Sequence, residues 1–214
     1  LRTPLNAILG YSDLLNLGVS GELNPAQRAH IQRIDVSARH LLDVIEDILT
    51  FSRAEARREE VHIENLDLAS FIAETVAMVE PLARQKHLAL RVVAEQKYPV
   101  VRIDPRKLRQ ILLNLLSNAV KFTEHGEVVL EVQLTPDRLR FVIADTGPGI
   151  SPEHRELIFE PFWQVHQGEI RRVGGTGLGL TVARQLVELL RGGITVESRP
   201  GGGTRFIVEF NPQD

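Results

Sequence analysis

Asn114, Asn118 and Lys121 recur at spacings of four and three residues in an otherwise apolar stretch, so on a helix they share one face. An amide oxygen suits a hard cation such as Mg²⁺, and a lysine ammonium places a point charge beside phosphate oxygens. A solvated stripe on an amphipathic helix is the competing reading. Downstream, Phe141-Val142-Ile143-Ala144 runs straight into Asp145-Thr146-Gly147-Pro148-Gly149-Ile150. A carboxylate ending a buried strand can accept a hydrogen bond from an exocyclic amine, and glycines let the backbone approach a flat ring; alone, the segment also reads as a plain turn. A third cluster, Gly174-Gly175-Thr176-Gly177-Leu178-Gly179-Leu180, leads into a helix, and backbone amides at such a helix start make a phosphate site. Neither common nucleotide motif fits it. The stretch before it, Gln164 to Arg172, is polar and basic where a dinucleotide fold needs an apolar strand, and Leu180 and Thr181 stand where a Walker loop needs Lys-Ser/Thr. Trp163 to Thr176 reads instead as a mobile lid hinged by glycine. A fourth cluster, Gly201-Gly202-Gly203-Thr204, separates two final strands.

These groups need a scaffold, and the elements around them are legible. Asp104 is placed to cap a helix with Pro105 in its first position, and Leu108, Ile111, Leu112, Leu115, Leu116 and Ala119 give that helix an apolar face. The periodicity predicts helices over Asp67–Lys86, Pro105–Phe122, Pro152–Ile158 and Leu178–Leu190. Strands are predicted over His62–Leu66, Leu88–Val93, Val100–Ile103, Glu127–Leu134, Leu139–Ala144, Ile194–Ser198 and Thr204–Phe210. Pro136-Asp137 marks a hairpin, so the second half reads as a mixed sheet with helices on one face. The first sixty residues have a different rhythm. Leu5, Ile8, Leu9, Ser12 and Leu15 follow helical spacing until Gly18, Gly21 and Pro25 break it; then Ile34, Ala38, Leu41, Ile45, Ile48 and Ser52 form a heptad-like seam, widened by Leu42 and Leu49. One hairpin cannot bury such stripes on both sides, so pairing into a four-helix bundle is expected, with packing onto the chain's own second half as the alternative. Charged Glu55 to Glu60 leads to the linker.

The chain has 214 residues, 25 lysines and arginines against 28 acids, and no cysteine. That excludes disulfide scaffolds, thiolate metal sites and cysteine nucleophiles, and leaves no basic field for nucleic acid. No apolar run suits a membrane span, so a soluble piece without membrane contact is expected. Leu1 is not methionine, and the chain is expected to be part of a longer protein.

Taken in order, these segments resemble the catalytic core of bacterial sensor histidine kinases. Asn114 to Thr123 is similar to that family's asparagine box, Asp145–Gly149 to its first glycine box, Phe159–Phe162 to its phenylalanine box, and Gly175–Gly179 and Gly201–Thr204 to its remaining glycine boxes. Leu1-Arg2-Thr3-Pro4 resembles the tail of the phosphoacceptor motif His-Glu-Leu-Arg-Thr-Pro, whose histidine and glutamate would lie just before Leu1. The 214 residues alone are therefore not expected to autophosphorylate; His30 and His40 read as surface helical histidines.

The resemblance implies an α+β fold: residues 1–60 as a dimerisation and phosphoacceptor hairpin forming a dimeric four-helix bundle, and residues 61–214 as a two-layer α/β sandwich binding ATP. It implies Mg²⁺ on Asn118 with Asn114 beside it, Lys121 at the phosphates, Asp145 on the adenine amine, Phe122 against the adenine ring and Thr204 supporting Asp145. Gly147, Gly149, Ile150, Gly175, Thr176, Gly177, Leu178 and Gly179 complete the implied nucleotide site. ATPase relatives carry a catalytic glutamate where Asn114 stands, and a neutral amide is no base, so phosphate is expected to pass to the histidine and on to an aspartate of a response-regulator receiver domain. Thr3 is implied in dephosphorylating that regulator, with a helix cap as its local alternative, and Arg171 or Arg172 would supply a charge where Gln164 departs from some relatives. The implied location is cytoplasmic. A nucleotide-gated interaction module and a protein serine kinase are the rival functions.

Overall fold

A computed structural model describes residues 2–19, 21–55, 60–94, 99–164 and 176–211. The chain divides into two compact units, Leu1–Ser52 and Arg53–Asp214.

The first unit holds α1 (Arg2–Asn16) and most of α2 (Pro25–Glu55). Helix α1 stops in a Schellman turn: Val19 N donates to Leu14 O and Gly18 N to Leu15 O, with Gly18 at φ 75°. Helix α2 starts with a reciprocal cap in which Asn24 Oδ1 accepts from Gln27 N at 2.9 Å and Gln27 Oε1 from Asn24 N at 3.0 Å. Because α1 already runs from Arg2, Thr3 stands exposed within its first turn and is not its cap. Leu5, Ser12, Ile31 and Ala38 are buried, whereas Ile34, Leu41 and Ile48 of the expected seam are 49%, 50% and 42% exposed. The seam is therefore only partly covered within one chain.

In the second unit, β1 (Glu64–Leu66) pairs antiparallel with β3 (Val101–Ile103). The main sheet has the order β2-β4-β5-β7-β6, formed by β2 (Ala89–Val93), β4 (Glu127–Thr135), β5 (Arg138–Asp145), β6 (Gly193–Ser198) and β7 (Thr204–Phe210). Only β2 against β4 is parallel; every other pair is antiparallel. Alternation buries Val128, Leu130, Leu139, Phe141, Ile143, Phe206 and Val208 beneath α3 (Leu68–Gln85), α4 (Pro105–Phe122) and α5 (Gly179–Leu189). The opposite face is roofed by ion pairs, Arg205 with Glu131 and Arg140 with Glu209, beside the buried register partners Val142 and Ile207. This is the α+β, two-layer arrangement expected.

Helix α4 has the bounds its sequence announces. Asp104, buried, accepts from Arg106 N and Lys107 N as its cap and from His62 N at 2.9 Å, tying the start of the unit to the helix. Helix α3 ends in a Schellman turn through His87 at φ 56°, with Leu88 N reaching Ala83 O and Leu88 buried. The helix expected over Pro152–Ile158 is instead two 3₁₀ turns, Pro152–His154 and Leu157–Phe159. A Ser151 Oγ to His154 Nδ1 bond closes the first after three residues, and the chain then bends to bury Ile158 and to set Phe159 edge-on to Phe206 at 6.3 Å.

Candidate functional site

Helix α4 buries Leu108, Ile111, Leu112, Leu115, Leu116 and Ala119, which turns Asn114, Asn118 and Lys121 to a half-buried stripe. Asn114 Nδ2 donates to Gly179 O at 2.9 Å, fastening α4 to the first residue of α5. Its amide hydrogen thus serves the protein. The Asn118 side chain has no hydrogen-bond partner among the described residues, so its oxygen is available as one ligand to a hard cation. No group of three or more His, Asp or Glu that could hold a metal occurs among the described residues. Lys121 Nζ lies 4.9 Å from the centre of the Phe122 ring, and Phe122 is 40% exposed. Burial first, and then the positive charge of Lys86, hold Lys121 below the usual lysine range.

Asp145 ends β5 with its Oδ1 accepting from Gly147 N at 2.8 Å, beside the N–H of its register partner Thr204. Burial pushes its carboxyl above the usual range, against the opposite pull of those two N–H groups. A Cβ on Gly147 would stand 2.9 Å from Asp145 Oδ1 and 3.2 Å from Phe122 O, so the turn after β5 abuts the end of α4. Gly149, at φ 74°, answers a different demand from the one its sequence suggests. A Cβ there would meet Arg199 O at 1.9 Å, so this glycine permits backbone to lie on backbone beneath the site.

The underside is held by Ser198, which sequence reading did not single out. Its Oγ accepts from Ile150 N at 2.7 Å, donates to Gly203 O at 2.8 Å and lies 3.1 Å from Thr204 Oγ1. Thr204, the register partner of Asp145 on β7, pairs its hydroxyl with Ser198. Lys86 was also missed: its ammonium donates to Val120 O, Lys121 O and Thr123 O at the end of α4. Lys86 acts only across long sequence separations, and Ser198 joins a near contact at Gly203 to a distant one at Ile150.

The glycine cluster before α5 is only partly described. Thr176 Oγ1 accepts from Leu178 N at 3.0 Å, and the Leu178 side chain is fully buried, so only its backbone faces outward chemistry. Phe162 N donates to Gly177 O at 3.1 Å, and a Cβ on Gly177 would sit 2.8 Å from Phe162 C. The phenylalanine-rich turn and the third glycine cluster are therefore joined. Gly175, Arg171, Arg172 and most of the expected lid lie outside the described residues.

Residues 103–214 match the family model for the histidine kinase-, DNA gyrase B- and HSP90-like ATPase, and residues 1–57 that for the His Kinase A (phospho-acceptor) domain. The circadian input-output histidine kinase CikA of Synechococcus elongatus is 41% identical over 97% of this chain and 28% of its own length. The autoinducer 2 sensor kinase/phosphatase LuxQ of Vibrio cholerae is 40% identical over 98% of this chain and 25% of its own. This chain thus spans about a quarter of these relatives. Among solved structures, full-length ShkA in complex with AMPPNP superposes with a TM-score of 0.81 at 35% identity, covering 99% of this chain and 43% of ShkA. Two family models in the right order, covering hairpin and sandwich alike, agree with the geometry: the chain belongs to the sensor histidine kinase family.

Proposed function

We propose that the chain is the catalytic core of a cytoplasmic, dimeric sensor histidine kinase that binds ATP with Mg²⁺ and passes the γ-phosphate through a histidine to a receiver-domain aspartate. The observation that carries this reading is the meeting of three separate motifs at one helix: Gly147 abuts the end of α4, and Asn114 holds Gly179 at 2.9 Å. In this reading Asp145 accepts from the adenine amine and Phe122 covers the ring. Lys121 and the backbone from Thr176 to Gly179 hold phosphate oxygens, with Ile150, Gly147 and Gly149 shaping the wall. Mg²⁺, held by Asn118, supplies charge neutralisation at the phosphates.

Asn114 serves as a positioning amide. It stands where ATPase relatives use a glutamate base, and its neutrality disfavours attack by water. The acceptor is then the imidazole of a His-Glu pair directly ahead of Leu1: the P–N bond forms as the bond from the γ-phosphorus to the ADP oxygen breaks, and the imidazole proton passes to the glutamate. The exposed Thr3 beside that pair suits a regulator-facing role in dephosphorylation, which the kinase/phosphatase LuxQ supports. Exposed Ile34, Leu41 and Ile48 support closure of the hairpin by a second copy.

A chain with His-Glu directly ahead of Leu1 tests the reading. Incubated with radiolabelled ATP and Mg²⁺ it should acquire acid-labile, base-stable label, and an added cognate receiver domain should remove it. Absence of label in a folded protein that binds ATP would favour a nucleotide-gated module.

A further inference from the structure

The end of α4 is a crowded corner. An α-helix leaves its last carbonyls without intrahelical donors, and they carry the negative end of its dipole. Here one side chain answers them. Lys86, the residue capping α3, reaches Val120 O at 3.0 Å, Thr123 O at 3.2 Å and Lys121 O, thirty-four to thirty-seven positions away in sequence. The remaining carbonyl of this turn, Phe122 O, is the one that faces Gly147. Lys86 is itself fixed, because the Schellman turn through His87 at φ 56° and the buried Leu88 locks the backbone that carries it.

Lys121 and Phe122 are thus held from behind by an ammonium and abutted by the Asp145 turn. We propose that Lys86 is a positioning residue of the nucleotide site, its ammonium serving at once as the C-cap that orients Lys121 and Phe122 and as a second positive charge behind Lys121. The inference rests on the nucleotide reading and extends it to a residue outside the resembling motifs. The titratable groups on the segments that meet here are Lys86 and His87 in the turn after α3, Glu124 and His125 just beyond α4, and Asp145, whose Oδ1 would stand 2.9 Å from a Cβ on Gly147. Of these, Lys86 is the charge that acts on Lys121 and favours its neutral form.

The role as cap and the role as charge separate by substitution. Lys86→Met removes both, Lys86→Gln keeps a neutral donor for the carbonyls, and Lys86→Arg keeps both. Titration calorimetry with Mg²⁺ and a nonhydrolysable ATP analogue, from pH 7 to pH 10, reads the two effects. At pH 7, Lys86→Met should bind about tenfold more weakly, the size of a lost charge-assisted hydrogen-bond network. Lys86→Gln should keep most of the affinity. As pH rises, wild-type affinity should fall when Lys121 loses its proton; in Lys86→Gln that fall should move to higher pH, because the repulsion that depresses Lys121 is gone. Lys86→Arg should restore the wild-type profile. A purely structural role would weaken binding without moving the alkaline fall. Wild-type affinity and profile in both Met and Gln variants would overturn the assignment of Lys86 alone, whereas a folded wild type without nucleotide affinity would overturn the nucleotide reading and this extension together.

Discussion

At the scale of single residues, Asp145 carries the sharpest expectation. Its pKa in the fold is raised by burial, so the cost of keeping it charged is present at neutral pH and disappears as pH falls through the raised value. Asp145→Asn removes the charge. Its melting temperature relative to wild type should therefore be more favourable at pH 7 than at pH 4. Affinity should move the other way: at pH 7 the variant should bind nucleotide about ten- to a hundredfold more weakly, roughly 1–3 kcal/mol, because its amide offers the amine either an N–H donor or a neutral acceptor in place of the carboxylate. Calorimetry and thermal melts on the same samples check both signs, and unchanged affinity in a folded variant would remove Asp145 from the site.

Among the elements, the turns that carry glycine separate structure from chemistry. Gly149 and Gly201 have nearly the same φ, 74° and 72°, yet a Cβ on Gly149 would meet Arg199 O at 1.9 Å while one on Gly201 would meet nothing within 4 Å. Gly201→Ala should cost only about 1–2 kcal/mol for the left-handed backbone. Gly149→Ala adds a collision between main chains and should exceed about 4 kcal/mol, in the exceptional range for one substitution. Urea unfolding followed by Trp163, the only tryptophan, distinguishes the two. Local chemistry made much of the fold readable. Asp104-Pro105 announces α4, and Asn114, Asn118 and Lys121 share a face because helical spacing requires it. What stayed hidden depends on tertiary contact: Ser198 and Lys86 look like ordinary strand and turn residues until Ile150 and the end of α4 come to meet them. The stretch Pro152–Ile158 misled for a similar reason, since burial of Phe159 against Phe206 decides its path over local helical pattern.

For the molecule as a whole, the exposed seam of α2 makes association the property to measure. Leu41→Glu places a charge on a position 50% exposed in one chain, so the fold of that chain tolerates it while a helix-to-helix seam does not. Light scattering at micromolar concentration should find a dimer for wild type and a monomer for the variant, with nucleotide affinity of the second unit retained. A monomeric wild type would overturn the four-helix bundle. The bond from Phe162 N to Gly177 O has a consequence of another kind. A bond between two main chains survives any change of the Phe162 side chain, whereas Gly177 sits at φ 72° and a Cβ there would stand 2.8 Å from Phe162 C. Gly177→Ala should therefore lower the urea midpoint by more than Phe162→Ala does.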